Sequence, residues 1–371
     1  MIFLCMVNYM FAYVVLFSLF FFLSYLEKSS IRLCIGGVFF NGRSIYCALI
    51  FIILTLFMGL RAESVGCDVV QYVYRYENVK ALIEMGGTTM LEWGYNYLSY
   101  FFHDILGVPF QVFLFFLSSV TCFSIVFILY RYSEDVFTSL TLYLTLGCFT
   151  MAMSGLRQSL AISLLLLSLF FCEKRKIIPF LILCILAFSM HNSSLIFILV
   201  YFLWGKRLSL KTCFSLLVAS FGSILFANVL IFFVSFFMPT KYSGMDLYVG
   251  YNINYLVLAV PVVITFFCTF FLDYEQDGKL NETDSFFFIC SLLYLVMMFL
   301  SLKNNQLGRL SYYFSVGNLI IVASTLKYQM KKDVRSAKIV KFIILMFSYA
   351  YFFISTPGGT LKIDNYKMFF S

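Results

Sequence analysis

Long uninterrupted apolar runs constrain this chain more than any other feature of its sequence. Many of them, such as the segment containing LAISLLLLSLFF (residues 160–171), approach the length of about 20 residues that a helix needs to cross a bilayer core. A transmembrane β-strand would alternate apolar and polar residues, and these runs do not alternate. Only 12% of the residues are charged, against about a quarter in a typical soluble domain. The sequence therefore predicts an all-α, polytopic bundle of transmembrane helices.

The apolar runs divide into about twelve proposed spans. The first is interpreted as a span and not as a cleavable signal, because it is long, lacks a positive leading region and ends in YLEKSS without a cleavage motif. Residues 177–204 form either two short spans or one helix interrupted at HNSS. We favour two, because fusion would move the basic segment GKRLSLK to the side that is poor in basic residues. The spans are 2–26, 45–60, 108–130, 137–154, 155–172, 177–190, 195–204, 212–237, 255–272, 285–302, 310–326 and 339–356.

Lysine and arginine are divided unevenly between the two sets of connecting loops. One set carries 17 of the 26 basic residues, and loops rich in basic residues stay in the cytoplasm. Both termini and the long loop 61–107 are therefore predicted to lie on the outer side of the membrane. This bias accounts for most of the net charge of +8, so no nucleic-acid partner is expected. The basic set comprises 27–44, 131–136, 173–176, 205–211, 273–284 and 327–341.

The loop 61–107 is the longest polar stretch of the chain. Asp68, Tyr72 and Arg75 are spaced i, i+4 and i+7, so they would share one face of a helix lying at the membrane surface. The sequence has no internal repeat and no low-complexity linker, which predicts a single membrane domain over 1–371. Its eleven cysteines lack the short spacing of structural zinc sites, so no metal site is expected.

Several polar residues from distant loops are predicted to meet at the outer face. Arg61 and Arg309 could simply extend to the water at the membrane edge. Arg157 is different, because it interrupts the almost continuous apolar stretch 137–172, where ionisable groups are costly and mark functional sites. Gln158 follows it directly. Asp68 could cap a helix, or it could pair with Arg61 or Arg75.

The chemistry of these side chains suits a diphosphate attached to a lipid and a sugar. Guanidinium groups bind phosphate oxygens through two parallel hydrogen bonds and keep their charge. His191, at a predicted helix break, could accept a proton, since histidine ordinarily titrates near a pKa of about 6.5, although it could equally cap or pack. We favour His191 as the base over Asp68, because arginine neighbours would make a carboxylate less basic.

Five motifs resemble, in order along nearly the whole chain, those of the EpsG-like proteins, a branch of the Wzy-type polysaccharide polymerases. Cys67 stands where the family usually has a small hydroxyl residue, and the histidine motif reads FSMH where Phe and His would be adjacent. The ending KIDNYKMFF is also similar to that of the family. The motifs are GLRAESVGCDVVQYVYRY, LEWGYNYLSYFF, SGLRQSLAISLLLLSLFF, AFSMHNSSLIFIL and GRLSYYF.

The resemblance implies a membrane glycosyltransferase that joins undecaprenyl-diphosphate-linked repeat units at the outer face of the bacterial inner membrane. It implies no cofactor and no established metal, and it leaves open whether the product is O-antigen, capsule or exopolysaccharide. A chain-length regulator is a candidate partner beside the lipid-linked glycan and the bilayer. The expected catalytic residues are His191, Asp68 and Glu92. The expected substrate-binding residues are Arg61, Arg157, Gln158, Arg309, Tyr72, Arg75 and Tyr313.

Two other functions are alternatives to this glycosyltransferase activity. A transporter or flippase of lipid-linked sugars would favour inverted repeats and helices broken near the middle of the membrane, and the sequence shows no internal symmetry. A polysaccharide O-acyltransferase would need an acyl-donor site, for which the sequence gives no signal.

Overall fold

The fold is described from a computed structural model covering residues 2–35, 38–85, 93–235, 255–303, 306–357, 359 and 361–370. Seventeen α-helices are described: α1 Ile2–Glu27, α2 Gly42–Gly59, α3 Val69–Glu77, α4 Val79–Glu84, α5 Trp93–Tyr100, α6 Phe110–Tyr132, α7 Val136–Thr145, α8 Cys148–Ser154, α9 Leu156–Glu173, α10 Ile177–Met190, α11 Leu210–Gly222, α12 Ala227–Ser235, α13 Tyr255–Phe271, α14 Glu282–Leu300, α15 Gln306–Ser311, α16 Val316–Lys332 and α17 Val334–Ser355. Three short segments have other helical geometry: a π-helix at Phe101–Ile105 and 3₁₀-helices at Asn192–Phe202 and Tyr312–Phe314.

Six of the described helices are long and apolar enough to cross a membrane, namely α1, α2, α6, α9, α14 and α17. Two bent pairs, α7 with α8 and α11 with α12, raise the number of candidate spans to eight. The protein is therefore a multi-pass helical membrane protein, as the sequence predicts. A small antiparallel hairpin of β1 (Arg32–Ile35) and β2 (Val38–Asn41), which the sequence analysis did not anticipate, precedes α2.

Length and composition thus support fewer straight spans than the twelve expected. The expected span 137–154 is bent by 55° between α7 and α8, where Gly147 adopts a φ of +93° that residues with a side chain rarely tolerate. The expected span 212–237 is bent by 96° between α11 and α12. The sixth and seventh spans are separate helices, as expected, but α10 has 14 residues and the following 3₁₀-helix has 11.

The interior is built from a few closely packed helix pairs. The most extensive contacts join α9 to α10, α2 to α6 and α14 to α16. Residues 316–326 of α16 are all buried, so this helix lies within the bundle. Gly317 allows its approach to α14, because a Cβ at this position would lie 2.4 Å from the backbone nitrogen of Ser291.

The connecting loops gather at two opposite ends of the bundle. At the start of α6, Gln111 donates to the carbonyl oxygen of Gly59, at the end of α2. At the other end of α6, Arg131 forms a two-pronged ion pair with Glu173, at the end of α9. We call the Arg131 end the basic end, since all six loops of the basic set meet there, and the Gln111 end the distal end.

The contacts at the basic end tie its loops together. Glu27 accepts hydrogen bonds from the first backbone N–H groups of α7, and Asp135 pairs with Lys341. Arg207 pairs with Glu275 and Asp277 across two further loops. The division of the loops into two groups, which the sequence analysis derived from charge, is therefore reproduced in the fold.

Candidate functional site

Arg61 lies fully buried at the distal end, just after α2. Its guanidinium donates to three backbone carbonyls: Nη2 to Met153 at 2.8 Å, Nε to Val65 at 3.4 Å, and Nη1 to Met58. Burial lowers the pKa of Arg61 to about 10, so the group remains charged at neutral pH. Arg61 joins α2 to α8 and leaves no face of its guanidinium for a ligand. This corrects the expectation of direct contact with a diphosphate, and Arg61 instead holds the loop in place.

Asp68 lies at the end of the same loop, next to Cys67. The Cys67 thiol lies 3.4 Å from Asp68 Oδ1 and 3.0 Å from Ser154 Oγ, which ties the loop to the end of α8. This path requires glycine at position 66, where φ is +108° and a Cβ would lie 2.6 Å from the carbonyl oxygen of Met153. The Asp68 side chain does not cap α3, and within the described residues it forms no ion pair with Arg61 or Arg75.

Helix α3 confirms the short helix predicted after Asp68, and it presents Tyr72 inward. Tyr76 of the same helix stacks on Phe113 of α6 with ring centroids 5.1 Å apart, and its hydroxyl donates to the carbonyl of Val108. Tyr72 is 7% exposed, whereas Asp68 and Arg75 are half-buried beside it on the predicted common face. The helix therefore places Tyr72 and Tyr76 against the bundle, whereas Tyr74 is exposed on its other side.

Arg157 is the second residue of α9 and is half-buried against Tyr72. Its guanidinium carbon lies 5.5 Å from the centre of the Tyr72 ring, and its Nε lies 3.5 Å from the Tyr72 hydroxyl. Burial raises the pKa of the Tyr72 hydroxyl, and the positive charge of Arg157 acts in the opposite direction. The phenol is therefore neutral and can donate a hydrogen bond. The residue that precedes α9 is Gly155, which has no side chain that could cap the helix. The arginine and the backbone N–H groups of this helix start therefore favour an anion at the same place.

Gln158 connects Arg157 to the segment that carries Arg309. It is 3% exposed, and its Nε2 donates to the carbonyl oxygen of Arg309 at 2.6 Å. The Arg309 side chain itself is exposed, and its charge acts on the Cys67 thiol, whose pKa is raised mainly by burial. Two arginines and one carboxylate, from loops more than 80 residues apart, thus border the same thiol and helix start.

His191 lies where α10 ends and the following 3₁₀-helix begins. Its backbone is extended and its side chain does not cap that helix, which excludes one of the ordinary roles considered for it. In the next turn, the Oγ atom of Ser193 lies 2.9 Å from the hydroxyl oxygen of Tyr313, a residue that is 1% exposed. Tyr313 follows Arg309 by four residues, so the histidine junction is fastened to the arginine segment.

The second half of the long loop also packs against this junction. Gly94, at the start of α5, approaches the end of α10 so closely that a Cβ there would lie 2.2 Å from Ser189 Oγ. The Tyr95 ring lies 5.7 Å from that of Tyr72. Glu92, the third expected catalytic residue, lies outside the described residues.

The comparison with known protein families covers most of the chain. The sequence profile of the EpsG family matches residues 44–368. The chain belongs to the EpsG family. No curated protein and no solved structure matches it. The EpsG family is linked to polysaccharide biosynthesis, and all the residues of the candidate site lie within the matched region.

The distal end of this EpsG-family protein thus combines positive charge, neutral phenols and two potential proton acceptors. Among the described residues, no group of three or more His, Cys, Asp and Glu side chains could hold a metal ion. Two cavities of about 400 and 380 Å³, lined by both polar and apolar side chains, lie at the basic end around Arg131, Tyr132 and Glu134. At that end the charge of Arg131 is paired with the carboxylate of Glu173.

Proposed function

We propose that this EpsG-family protein polymerises undecaprenyl-diphosphate-linked oligosaccharide repeat units at the outer face of the bacterial inner membrane. The observation that carries the proposal is the pairing of Arg157 with Tyr72 at the uncapped start of α9, with Arg309 fastened beside it through Gln158. A departing lipid diphosphate carries developing negative charge, which fixed guanidinium and N–H groups stabilise. Such an arrangement at one membrane face suits a substrate whose diphosphate lies at the lipid headgroups.

Each residue of the site has a role in this proposal. Arg157 and Arg309 bind the diphosphate, Tyr72 orients Arg157, and Gln158 and Tyr313 hold the Arg309 segment. His191 accepts the proton of the attacking sugar hydroxyl, and Asp68 organises the charged loop. Arg75 and the aromatic residues of α3 and α5 border the glycan. The short and bent helices complete a path of twelve crossings in this proposal, with both termini outside.

A reconstituted system tests the activity directly. Purified protein in liposomes, given lipid-linked repeat units without nucleotide sugar or ATP, should produce a ladder of longer lipid-linked glycans on a gel. Deletion of the gene in the native host should leave a single repeat unit on the lipid core. A wild-type protein that produces no ladder in liposomes, with a deletion strain that keeps its ladder, would refute the proposal.

One observation favours the alternative of a flippase for lipid-linked sugars, namely the two bent helix pairs. A flippase would move fluorescent lipid-linked repeats across the liposome membrane without lengthening them. The same liposomes therefore distinguish the two functions, because the ladder and the translocation are measured on the same sample.

Two native cysteines test the orientation of the protein. Cys34 is exposed in β1 near the basic end, and Cys67 is half-buried at the distal end. We expect a membrane-impermeant maleimide to label Cys67 in sealed spheroplasts and to label Cys34 only after permeabilisation, because the basic end is predicted to be cytoplasmic. Cys34→Ser and Cys67→Ser assign the labelled bands. Labelling of Cys34 in sealed spheroplasts would reverse the orientation and place the site on the cytoplasmic face.

A further inference from the structure

The C-terminal segment 361–369 returns from α17 and runs antiparallel to the loop that follows α2. Arg61 and Met368 form an antiparallel bridge. Four backbone hydrogen bonds of 2.8–3.0 Å join the two segments. The N–H groups of Ala62, Gly66 and Cys67 donate to the carbonyl oxygens of Lys367, Lys362 and Leu361, respectively, and the N–H of Phe369 donates to the carbonyl oxygen of Leu60. The tail thus pairs with both ends of the path from Leu60 to Cys67, and Glu63 and Ser64 between them are exposed.

Side chains fasten this tail to the membrane-spanning helices. The Tyr366 ring stacks on Phe57 of α2, with centroids 4.1 Å apart, and its hydroxyl donates to the Phe57 carbonyl oxygen at 2.8 Å. Ile363 is 1% exposed, and its carbonyl oxygen accepts a 2.6 Å hydrogen bond from the hydroxyl of Tyr13 on α1. The tail is therefore a packed element of the fold that is held by two helices.

The tail reaches the candidate site through Cys67. The backbone N–H of Cys67 is held by the tail, while its thiol contacts Asp68 and Ser154. Each of the three guanidinium nitrogens of Arg61, in the middle of the paired stretch, donates to a backbone carbonyl, so Arg61 fixes the loop from the inner side. The position of Asp68 relative to the start of α9 depends on both fastenings.

We propose that the C-terminal segment 361–369 is a positioning element of the candidate site, with Tyr366 as its principal positioning residue. Tyr366 acts through the loop 60–67 on Asp68 and does not itself contact substrate. The consequence for glycan elongation rests on the proposed function, whereas the consequence for the Cys67 thiol does not. The two consequences are therefore measured separately.

The experiment uses the full-length protein in liposomes and the alkylation rate of Cys67 by a maleimide. Tyr366→Ala removes both the ring stack and the hydroxyl, so the loop should open locally and Cys67 should react about tenfold faster or more. Opening also relieves the burial that raises the pKa of the thiol, which increases the reactive thiolate. Elongation should fall in parallel, and Tyr366→Phe, which keeps the ring stack, should restore most of both properties.

The matched control is Tyr132→Ala. Tyr132 is a buried tyrosine at the basic end, bonded through its hydroxyl to Glu173, and its loss should leave the Cys67 rate unchanged. Tyr366→Leu replaces Tyr366→Ala if the alanine variant does not accumulate, with the same expected result. A wild-type Cys67 rate in Tyr366→Ala, or in Tyr366→Leu where that variant replaces it, would overturn the proposal, as would a faster rate combined with wild-type elongation. If the wild-type protein itself does not elongate glycans, the proposed function fails, and the thiol rate alone decides whether the tail holds the loop.

Discussion

Replacing Arg157 with lysine should slow glycan elongation by about 10²-fold or more while the protein still folds, in line with the loss of one preorganised charge-stabilising donor. Lysine keeps the charge but has no planar fork for two phosphate oxygens, and it loses the flat contact with the Tyr72 ring. Arg157→Ala should be at least as severe. The measurement is the initial elongation rate of purified variants in liposomes, at equal amounts of protein that elutes as a single species in size-exclusion chromatography.

Arg61 and Arg309 are the matched arginine controls for this result. Arg309→Lys should reduce elongation less than Arg157→Lys, because the Arg309 side chain is exposed and less constrained. Arg61→Lys should instead reduce the amount of folded protein, because lysine cannot serve the carbonyls of Met58, Val65 and Met153 together, and each buried polar group left unpaired costs about 1–3 kcal/mol. Wild-type chain lengths in Arg157→Ala would show that Arg157 only anchors the membrane edge.

Hydrophobic runs predicted where helices form, but they could not show where helices bend. Apolarity is the same on both sides of Gly147, so the expected span 137–154 looked continuous although it bends by 55°. The bend depends on the backbone angle of one glycine, which a hydropathy pattern does not encode. The interior position of α16 was hidden for a related reason, since burial in protein and burial in lipid require the same apolar residues.

Charge was more informative, because basic residues record which loops share a face. The uneven distribution of basic residues predicts that the loops of Arg157, His191 and Arg309 share one end of the bundle. In the fold, contacts join these three segments at that end. The distribution could not reveal which arginine faces outward. Arg61 and Arg157 have similar sequence surroundings, yet one is fully enclosed by carbonyls and the other lies against a tyrosine at a helix start.

The sequence also did not predict the contacts of the C-terminal segment 361–369. Tyr366 lies 309 residues from Phe57, and nothing in the apolar ending KIDNYKMFF indicates which loop it covers. The backbone pairing of 361–369 with 60–67 depends on the lateral arrangement of α1, α2 and α17. Helix order along the chain does not determine that arrangement, because neighbouring spans in sequence need not be neighbours in the bundle.

The fold also changes the comparison between the two candidate bases. The sequence favours His191 over Asp68 as the base because it predicts that Asp68 pairs with Arg61 or Arg75. Arg61 is committed to carbonyls, and no such ion pair is present within the described residues. Asp68→Asn is therefore the matched comparison for any variant of His191, since it removes the charge of the carboxylate and preserves its shape.

His191→Ala should lower the elongation rate by about 10²–10⁴-fold, which is the usual contribution of a general base. The His191 side chain does not cap the 3₁₀-helix that follows it, so its removal takes no capping hydrogen bond from that helix. Binding of the lipid-linked repeat should persist, because the diphosphate is assigned to Arg157 and Arg309. His191→Gln should not restore the rate, since glutamine can form a hydrogen bond but cannot accept the proton.

The decisive measurement is the elongation rate of the purified variants at a series of pH values, with substrate binding measured on the same samples. A wild-type rate that falls toward acidic pH indicates a base that acts in its unprotonated form. Asp68→Asn should retain more activity than His191→Ala if Asp68 only organises the loop. Loss of a general base should slow elongation by at least about 10²-fold. If His191→Ala keeps more than about a tenth of the wild-type rate, His191 is therefore not the base. A larger loss in Asp68→Asn would then assign proton transfer to the carboxylate beside Cys67.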